Sequence, residues 1–310
     1  MKKIKIAIIG AGVMATKYLE VLSSNKTVSL EGIFSRTFSK AEILKNKFNI
    51  KNNSVSINNL YKDTKADIVI VTVPGDHMVK SCIELLNFSW KIFIEKPPGL
   101  NFKEFKYLLN ISKNKKKKIY VGMNRRYFSS TLNLLKKVES DKGFRSIQIF
   151  DQQDTKIEKK KGRSKKIIKY WMYANSIHLI DYISILARGN PIKINVIYKD
   201  DKEVNCFIKF SSKDIVSYVC RWNKPGPWQV KISTNNSYYE LNPLEVLKIR
   251  SKESKEYLSF DISKDDKKYK TGIKLQVDDL INVFLKKKNK LPHLQKMYKT
   301  MSLINKIYSI

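Results

Sequence analysis

Cysteine is scarce: Cys82, Cys206 and Cys220 are the only three in 310 residues, and they lie far apart. That excludes a disulfide framework and offers no metal-ligand spacing, so no metal is expected. Apolar runs are short, and none approaches the roughly 20 residues that span a bilayer. The start, Met1-Lys2-Lys3, is basic, but the apolar run after it meets Gly10 at once and continues as a predicted helix, unlike a signal peptide. A cytoplasmic protein without a membrane partner is expected. Arginine is also rare. It supplies only 8 of 61 basic residues, against 28 acidic ones, for a net charge of +33. A nucleic-acid binder uses arginine forks on phosphates and base edges. A lysine-rich surface in a chain also rich in Asn and Ile reads instead as compositional drift, and no nucleic-acid partner is expected. The longest basic run, Lys115 to Lys118, falls where a predicted helix ends, which suits the helix dipole. Attraction to an acidic substrate stays open.

What is present is rhythm. Strands are predicted at Lys5–Ile9, Val28–Phe34, Ile68–Val73, Trp90–Ile94 and Ile119–Val121, with helices at Val13–Ser23, Ser39–Phe48, Met78–Asn87 and Phe102–Asn114 between them. Strand–helix alternation with short, mostly apolar strands means βαβ units and a parallel sheet. After Met123 the pattern changes. A helix is predicted at Phe128–Glu139, a strand at Arg145–Phe150, an irregular basic loop at Lys156–Lys169 and a helix at Met172–Leu186. Several short strands follow between Ile192 and Phe260, with Asn235-Asn236 as a hairpin turn, then helices at Lys274–Lys286 and Leu294–Tyr308. The expected partition is a dinucleotide-binding domain over 1–122 and a substrate and oligomerisation domain over 123–310.

The first strand runs into Gly10-x-Gly12-x-x-Ala15 and a helix. Gly10 permits the tight turn, Gly12 lets the backbone approach a pyrophosphate, and Ala15 allows close packing of helix on strand. The N–H groups of Val13 and Met14 stand at the positive helix end, where a phosphate binds. The second strand ends in Ser35-Arg36-Thr37 rather than in an acidic residue, and Glu31 sits mid-strand. Donors there favour the 2′-phosphate of NADP(H) over NAD(H). Thr72 and Pro74 close the third strand at the same sheet edge, and His77 opens the next helix as a further cofactor candidate. The fourth strand stops abruptly at Glu95-Lys96-Pro97-Pro98, which puts Lys96 where open α/β sheets bind ligands. A lysine there can hold a substrate oxygen and stabilise its developing charge.

Gly10-Ala11-Gly12, Thr72-Val73-Pro74 with His77, Glu95-Lys96-Pro97, and Val121 to Tyr127 together resemble the Gfo/Idh/MocA oxidoreductase family. The resemblance implies a Rossmann domain with a doubly wound parallel sheet. It implies a second, α+β domain with a large, mostly antiparallel sheet through which such proteins form homo-oligomers. It makes Lys96 a contact of substrate and nicotinamide, with Glu95 beside the cofactor, and it matches His178 to the family's acid/base histidine. Many members have an aspartate four residues before that histidine. This chain has Ala174 there, one α-helical turn away and so on the same face. Asn175, Tyr173 and Lys96 are candidates for part of the missing role, and Asp181, three residues after His178 on the same face, is a candidate to orient the imidazole. Asn124, Arg126, Tyr170 and Trp171 complete the candidate substrate residues. The implied activity is hydride transfer between a nicotinamide and a hydroxyl or keto carbon of a sugar or sugar nucleotide. The alternative is a sensor or scaffold that binds NAD(P) without turnover.

Overall fold

The structure, a computed structural model, describes residues 3–141, 143–200 and 203–309. The chain forms two compact units, Met1–Asn124 with Lys268–Met297, and Arg125–Lys267 with Tyr298–Ile310. The first unit holds six strands: β1 (Ile4–Ile9), β2 (Val28–Phe34), β3 (Asn52–Ser54), β4 (Ile68–Val71), β5 (Lys91–Glu95) and β6 (Ile119–Gly122). They form one parallel sheet in the order β3-β2-β1-β4-β5-β6. Crossovers run through α1 (Val13–Leu22), α2 (Phe38–Phe48), α3 (Ile57–Thr64), α4 (Gly75–Leu85) and α5 (Phe102–Asn114). β4 is Ile-Val-Ile-Val, buried on both faces as a sheet sandwiched by helices requires. The strand order reverses between β1 and β4, the switch point at whose carboxyl edge open α/β sheets bind ligands. β3 and α3 were not predicted. β3 is three polar residues, without a hydrophobic period to betray it. α3 carried a readable signal in Ser56, whose hydroxyl accepts from Asn59 N at 3.1 Å.

The second unit contains α6 (Ser129–Glu139), β7 (Ser146–Gln153), α7 (Thr155–Lys160), α8 (Lys165–Lys169), α9 (Ile177–Leu186) and β8 (Pro191–Lys199). It continues with β9 (Glu203–Phe210), β10 (Ile215–Trp222), β11 (Gln229–Ser233), β12 (Ser237–Leu241), β13 (Leu247–Ser251), β14 (Leu258–Phe260) and α10 (Lys264–Lys268). The strands make one sheet in the order β14-β13-β12-β11-β7-β10-β9-β8, antiparallel except for the central pair β7 and β10. A large, mostly antiparallel sheet is thus present, as expected. The Asn235-Asn236 turn closes with Thr234 N donating to Ser237 O at 3.0 Å. Inward positions alternate along the strands, as in Val204, Cys206, Ile208 and Phe210 of β9. α9, almost wholly buried, packs on β7.

Two expectations are corrected. Residues 156–169 are not an irregular loop: α7 and α8 form there. Asp154 caps the first through Ile157 N at 2.9 Å, and Ser164 caps the second through Ile167 N at 3.3 Å, with Ile167 buried. The other correction concerns Met172–Leu186, which is not one α-helix. Residues Met172–Ser176 form a π-helical turn, and α9 starts only at Ile177. Its i→i+5 bonding shifts the register, so Ala174 and His178 are not related by one regular α-turn.

The chain's end also differs from the expected partition. α11 (Ile273–Phe284) belongs to the first unit, while most of α12 (Leu294–Tyr308) belongs to the second. α11 returns to pack on α1, with Gln276 Nε2 donating to Tyr18 Oη at 2.7 Å. Pro292 O accepts from Val121 N at 2.8 Å and extends the pairing of β6. Among the described residues no helix is long and apolar enough to cross a membrane.

Candidate active site

At the switch point, β1 leads straight into the glycine turn. Gly10 has φ +105°, and a Cβ there would stand 2.6 Å from Thr72 Oγ1 and 3.0 Å from the Thr72 backbone, so the turn admits no side chain. Gly12 is different. A Cβ on it would meet nothing within 4 Å, so no protein neighbour demands glycine. Gly12 is the N-cap of α1, no side chain caps the helix, and its first turn has no acidic residue. Val13, 77% exposed, is an apolar residue left open at that helix end. A bare, uncapped helix N-terminus with space over a glycine fits a dinucleotide pyrophosphate.

The neighbouring strand ends carry the other cofactor candidates. Ile9 pairs with Phe34, and Gly10 N donates to Phe34 O at 2.8 Å, which sets Ser35, Arg36 and Thr37 beside the glycine turn. Ser35 Oγ accepts from Thr37 N at 3.3 Å, while Arg36 is exposed. Thr37 caps α2 by position only, so a second helix start lacks a side-chain acceptor. Glu31 is turned away. It is buried and its carboxylate takes Lys51 Nζ at 2.9 Å. Burial pushes its pKa up, but bonds from Ser29 and Lys51 outweigh this and hold it below the usual range. Thr72 Oγ1 donates to Ile9 O at 3.2 Å, locking β4 to β1. Pro74 is the N-cap of α4, and His77, in its first turn, lies 3.9 Å from Asp76.

Lys96 follows β5 directly. Val71 pairs with Ile94, so Lys96 sits at the carboxyl edge, one strand beyond the end of β4. A Cβ on Gly75 would come within 3.2 Å of Pro97, so the start of α4 abuts the Lys96-Pro97 corner. Glu95 faces the interior instead. Tyr18 Oη donates to its Oε1, and Gly122 lies so close that a Cβ there would be 2.9 Å from that oxygen. Burial raises the Glu95 carboxyl, against the Tyr18 hydrogen bond and the charge of Lys96. Glu95 is therefore part of the support under the strand end. Asn124 likewise serves the backbone, with Nδ2 donating to Thr271 O at 3.0 Å.

In the second unit, His178 is buried in the first turn of α9. Asp181, three residues on, accepts Arg126 Nε and Nη2 at 2.6 Å each and Thr300 Oγ1 at 2.7 Å. Its capacity is used in fixing the turn Asn124–Tyr127 to α9. Burial lowers Arg126 but the Asp181 charge raises it further, so it stays charged. Arg125 has no such carboxylate. It stacks on Trp228 at 3.9 Å, and burial draws its pKa down to about 10. Tyr170 is half-buried under Lys169, and Trp171 is buried. Trp171 Nε1 and Asn175 Nδ2 both donate to Gln153 Oε1, at 2.7 and 2.8 Å. Gln153 and its neighbour Asp151 were not among the candidates. Their signal was present: Ile147-x-Ile149-x-Asp151-x-Gln153 continues an inward, apolar phase with polar residues. Among the described residues no cluster of three or more His, Cys, Asp or Glu could hold a metal ion.

A reversed parallel sheet with a phosphate-ready glycine turn defines a dinucleotide-binding domain, joined here to a sheet-based second unit. Residues 4–123 match the GFO_IDH_MocA family, described as an oxidoreductase family with an NAD-binding Rossmann fold. No curated protein matches the chain in sequence. Solved structures share the whole fold. UDP-N-acetylglucosamine 3-dehydrogenase GnnA from Acidithiobacillus ferrooxidans superposes with TM-score 0.80 at 12% identity, covering 100% of this chain and 98% of that one. The WlbA dehydrogenase from Chromobacterium violaceum, in complex with NADH and UDP-GlcNAcA, gives 0.78 at 14% over 100% and 94%. A Gfo/Idh/MocA family oxidoreductase from Vibrio cholerae gives 0.80 at 17% over 99% and 97%. At these identities the likeness establishes the fold.

Proposed function

We propose that the chain is an NADP-dependent oxidoreductase acting on a hydroxyl or keto carbon of a sugar or sugar nucleotide, in the making of surface-polysaccharide or modified sugars. The observation that carries this is the bare start of α1: an open Gly12, no capping side chain and an exposed Val13. The bound dinucleotide supplies the hydride acceptor or donor. The N–H groups of Gly12, Val13 and Met14 bind its pyrophosphate, while Thr72, Pro74 and His77 line the nicotinamide half. Ser35, Arg36 and Thr37 take a 2′-phosphate, for which the absence of an acidic residue in that loop leaves room. Lys96 holds the reacting oxygen, and His178 takes or returns its proton. Sugar nucleotides are favoured because one relative of the same fold is a UDP-sugar dehydrogenase and another is seen with a UDP-sugar. A cytoplasmic homo-oligomer built on the eight-stranded sheet completes the reading.

The test is turnover of a panel of UDP-sugars with NADP+ and NAD+. Lys96→Ala and His178→Ala should each cut the rate by about 10²-fold or more while NADP still binds. Near-normal rates in both variants would remove these roles. Cofactor binding without turnover of any sugar would favour a sensor or scaffold.

A further inference from the structure

Under the π-helical turn runs an unbroken line of buried hydrogen bonds. Gln153, 1% exposed, accepts from Trp171 and Asn175 through Oε1 and donates from Nε2 to Asp151 Oδ1. The second oxygen of Asp151 accepts Tyr218 Oη at 2.8 Å, and the Tyr218 and Tyr308 hydroxyls lie 3.0 Å apart. An amide and a carboxyl between sheet and helix cost free energy that an apolar pair would not. Fully joined, such a network specifies one arrangement of the groups around it.

The polarity of the line is fixed from its indole end. An indole N–H only donates, so Gln153 must turn its carbonyl to Trp171 and its NH2 to Asp151, whose carboxyl burial pushes above the usual range. Asn175 then has one Nδ2 hydrogen committed, which fixes the amide so that Oδ1 points away from Gln153, an acceptor three residues before His178. Ala174 brings no polar group to this turn. We propose that Gln153, locked by Asp151, is a positioning residue: it holds the π-helical turn so that Asn175 meets a donating substrate hydroxyl with an acceptor oxygen beside His178. This rests on the reading of the chain as a hydroxyl-oxidising enzyme that uses His178.

The experiment is a swap in the full-length protein. Gln153→Leu removes the acceptor. Gln153→Glu keeps it but sets a second carboxylate against Asp151. Asp151→Asn with Gln153→Glu restores every bond, with amide and carboxylate exchanged. The Trp171 indole N–H, identified by its loss in Trp171→Phe, should be protected from solvent exchange in the wild type and the double variant only. With UDP-N-acetylglucosamine or whichever panel UDP-sugar the wild type turns over, kcat should fall about 10²-fold in each single variant. It should recover in the double variant, with KM for NADP unchanged. A double variant as slow as Gln153→Glu overturns the proposal, as does recovery of the indole signal without recovery of kcat. If the wild type turns over no UDP-sugar, the enzymatic reading and the positioning role fail together, while an indole signal that follows the swap shows that the clamp itself stands.

Discussion

Arg126 and Asp181 form a two-pronged ion pair, each prong 2.6 Å, with the carboxylate almost fully enclosed. The pair joins the turn after β6 to α9 one helical turn beyond His178. Removing one partner strands the other as a buried charge, which costs about 3–5 kcal/mol. Asp181→Asn should lower unfolding free energy by that order, read from urea denaturation. Arg126→Lys should also lower it despite keeping the charge, because an ammonium cannot span both oxygens. A loss under 1 kcal/mol in both variants would show the pair to be dispensable.

Gly10 and Gly12 should respond oppositely to alanine. At Gly10 the positive φ alone costs about 1–2 kcal/mol, and the Cβ collides with Thr72. Gly10→Ala should therefore lower Tm even without cofactor. At Gly12 nothing in the protein meets the added methyl, so Gly12→Ala should leave the Tm of the free protein within a degree or so. It should instead abolish most of the stabilisation that NADP gives in a thermal-shift titration.

Cofactor choice turns on the β2–α2 loop. Arg36 is exposed there and Glu31 is tied to Lys51, so the loop offers donors without a carboxylate. A charged hydrogen bond to phosphate is worth about 1.5–3 kcal/mol. Arg36→Ala should raise KM for NADP roughly tenfold or more and leave KM for NAD nearly unchanged. An equal effect on both cofactors would place Arg36 on the adenine or in solvent.

Legibility followed the strength of local pattern. β1, β2, β4, β5 and β6 are apolar, β-branched runs ended by glycine, proline or charge, and each was readable. So were Gly10, Gly12 and Lys96, since their positions follow from strand ends alone. The return of α11 to the first unit was not readable, because an amphipathic helix shows that it has a buried face and not which core receives it. The π-helical turn was hidden for a related reason: Met172 to Ser176 has apolar residues that suit an α-helix equally well. Asp151 and Gln153 break the binary pattern at the inward positions of β7. Places where local rules fail in this way are where function is to be sought.

Acid should weaken the second unit through Asp214. Its side chain is fully enclosed. It accepts Arg188 Nη2 at 2.6 Å and Arg188 Nε at 3.0 Å, with the amides of Arg145 and Arg188 at 2.9 Å. Burial pushes its pKa up, but the bonds from Arg188 and the two amides prevail and hold it below the usual carboxylate value. The folded state therefore binds this proton less readily than the unfolded chain. Its contribution is complete above the ordinary Asp pKa of about 3.9 and is lost as pH falls through the lower folded value. Asp214→Asn should lower stability at pH 7. It should also flatten the fall of unfolding free energy below about pH 4, measured by denaturant titration across that window. An unchanged acid slope would show that Asp214 is protonated as easily in the folded protein as in the unfolded chain.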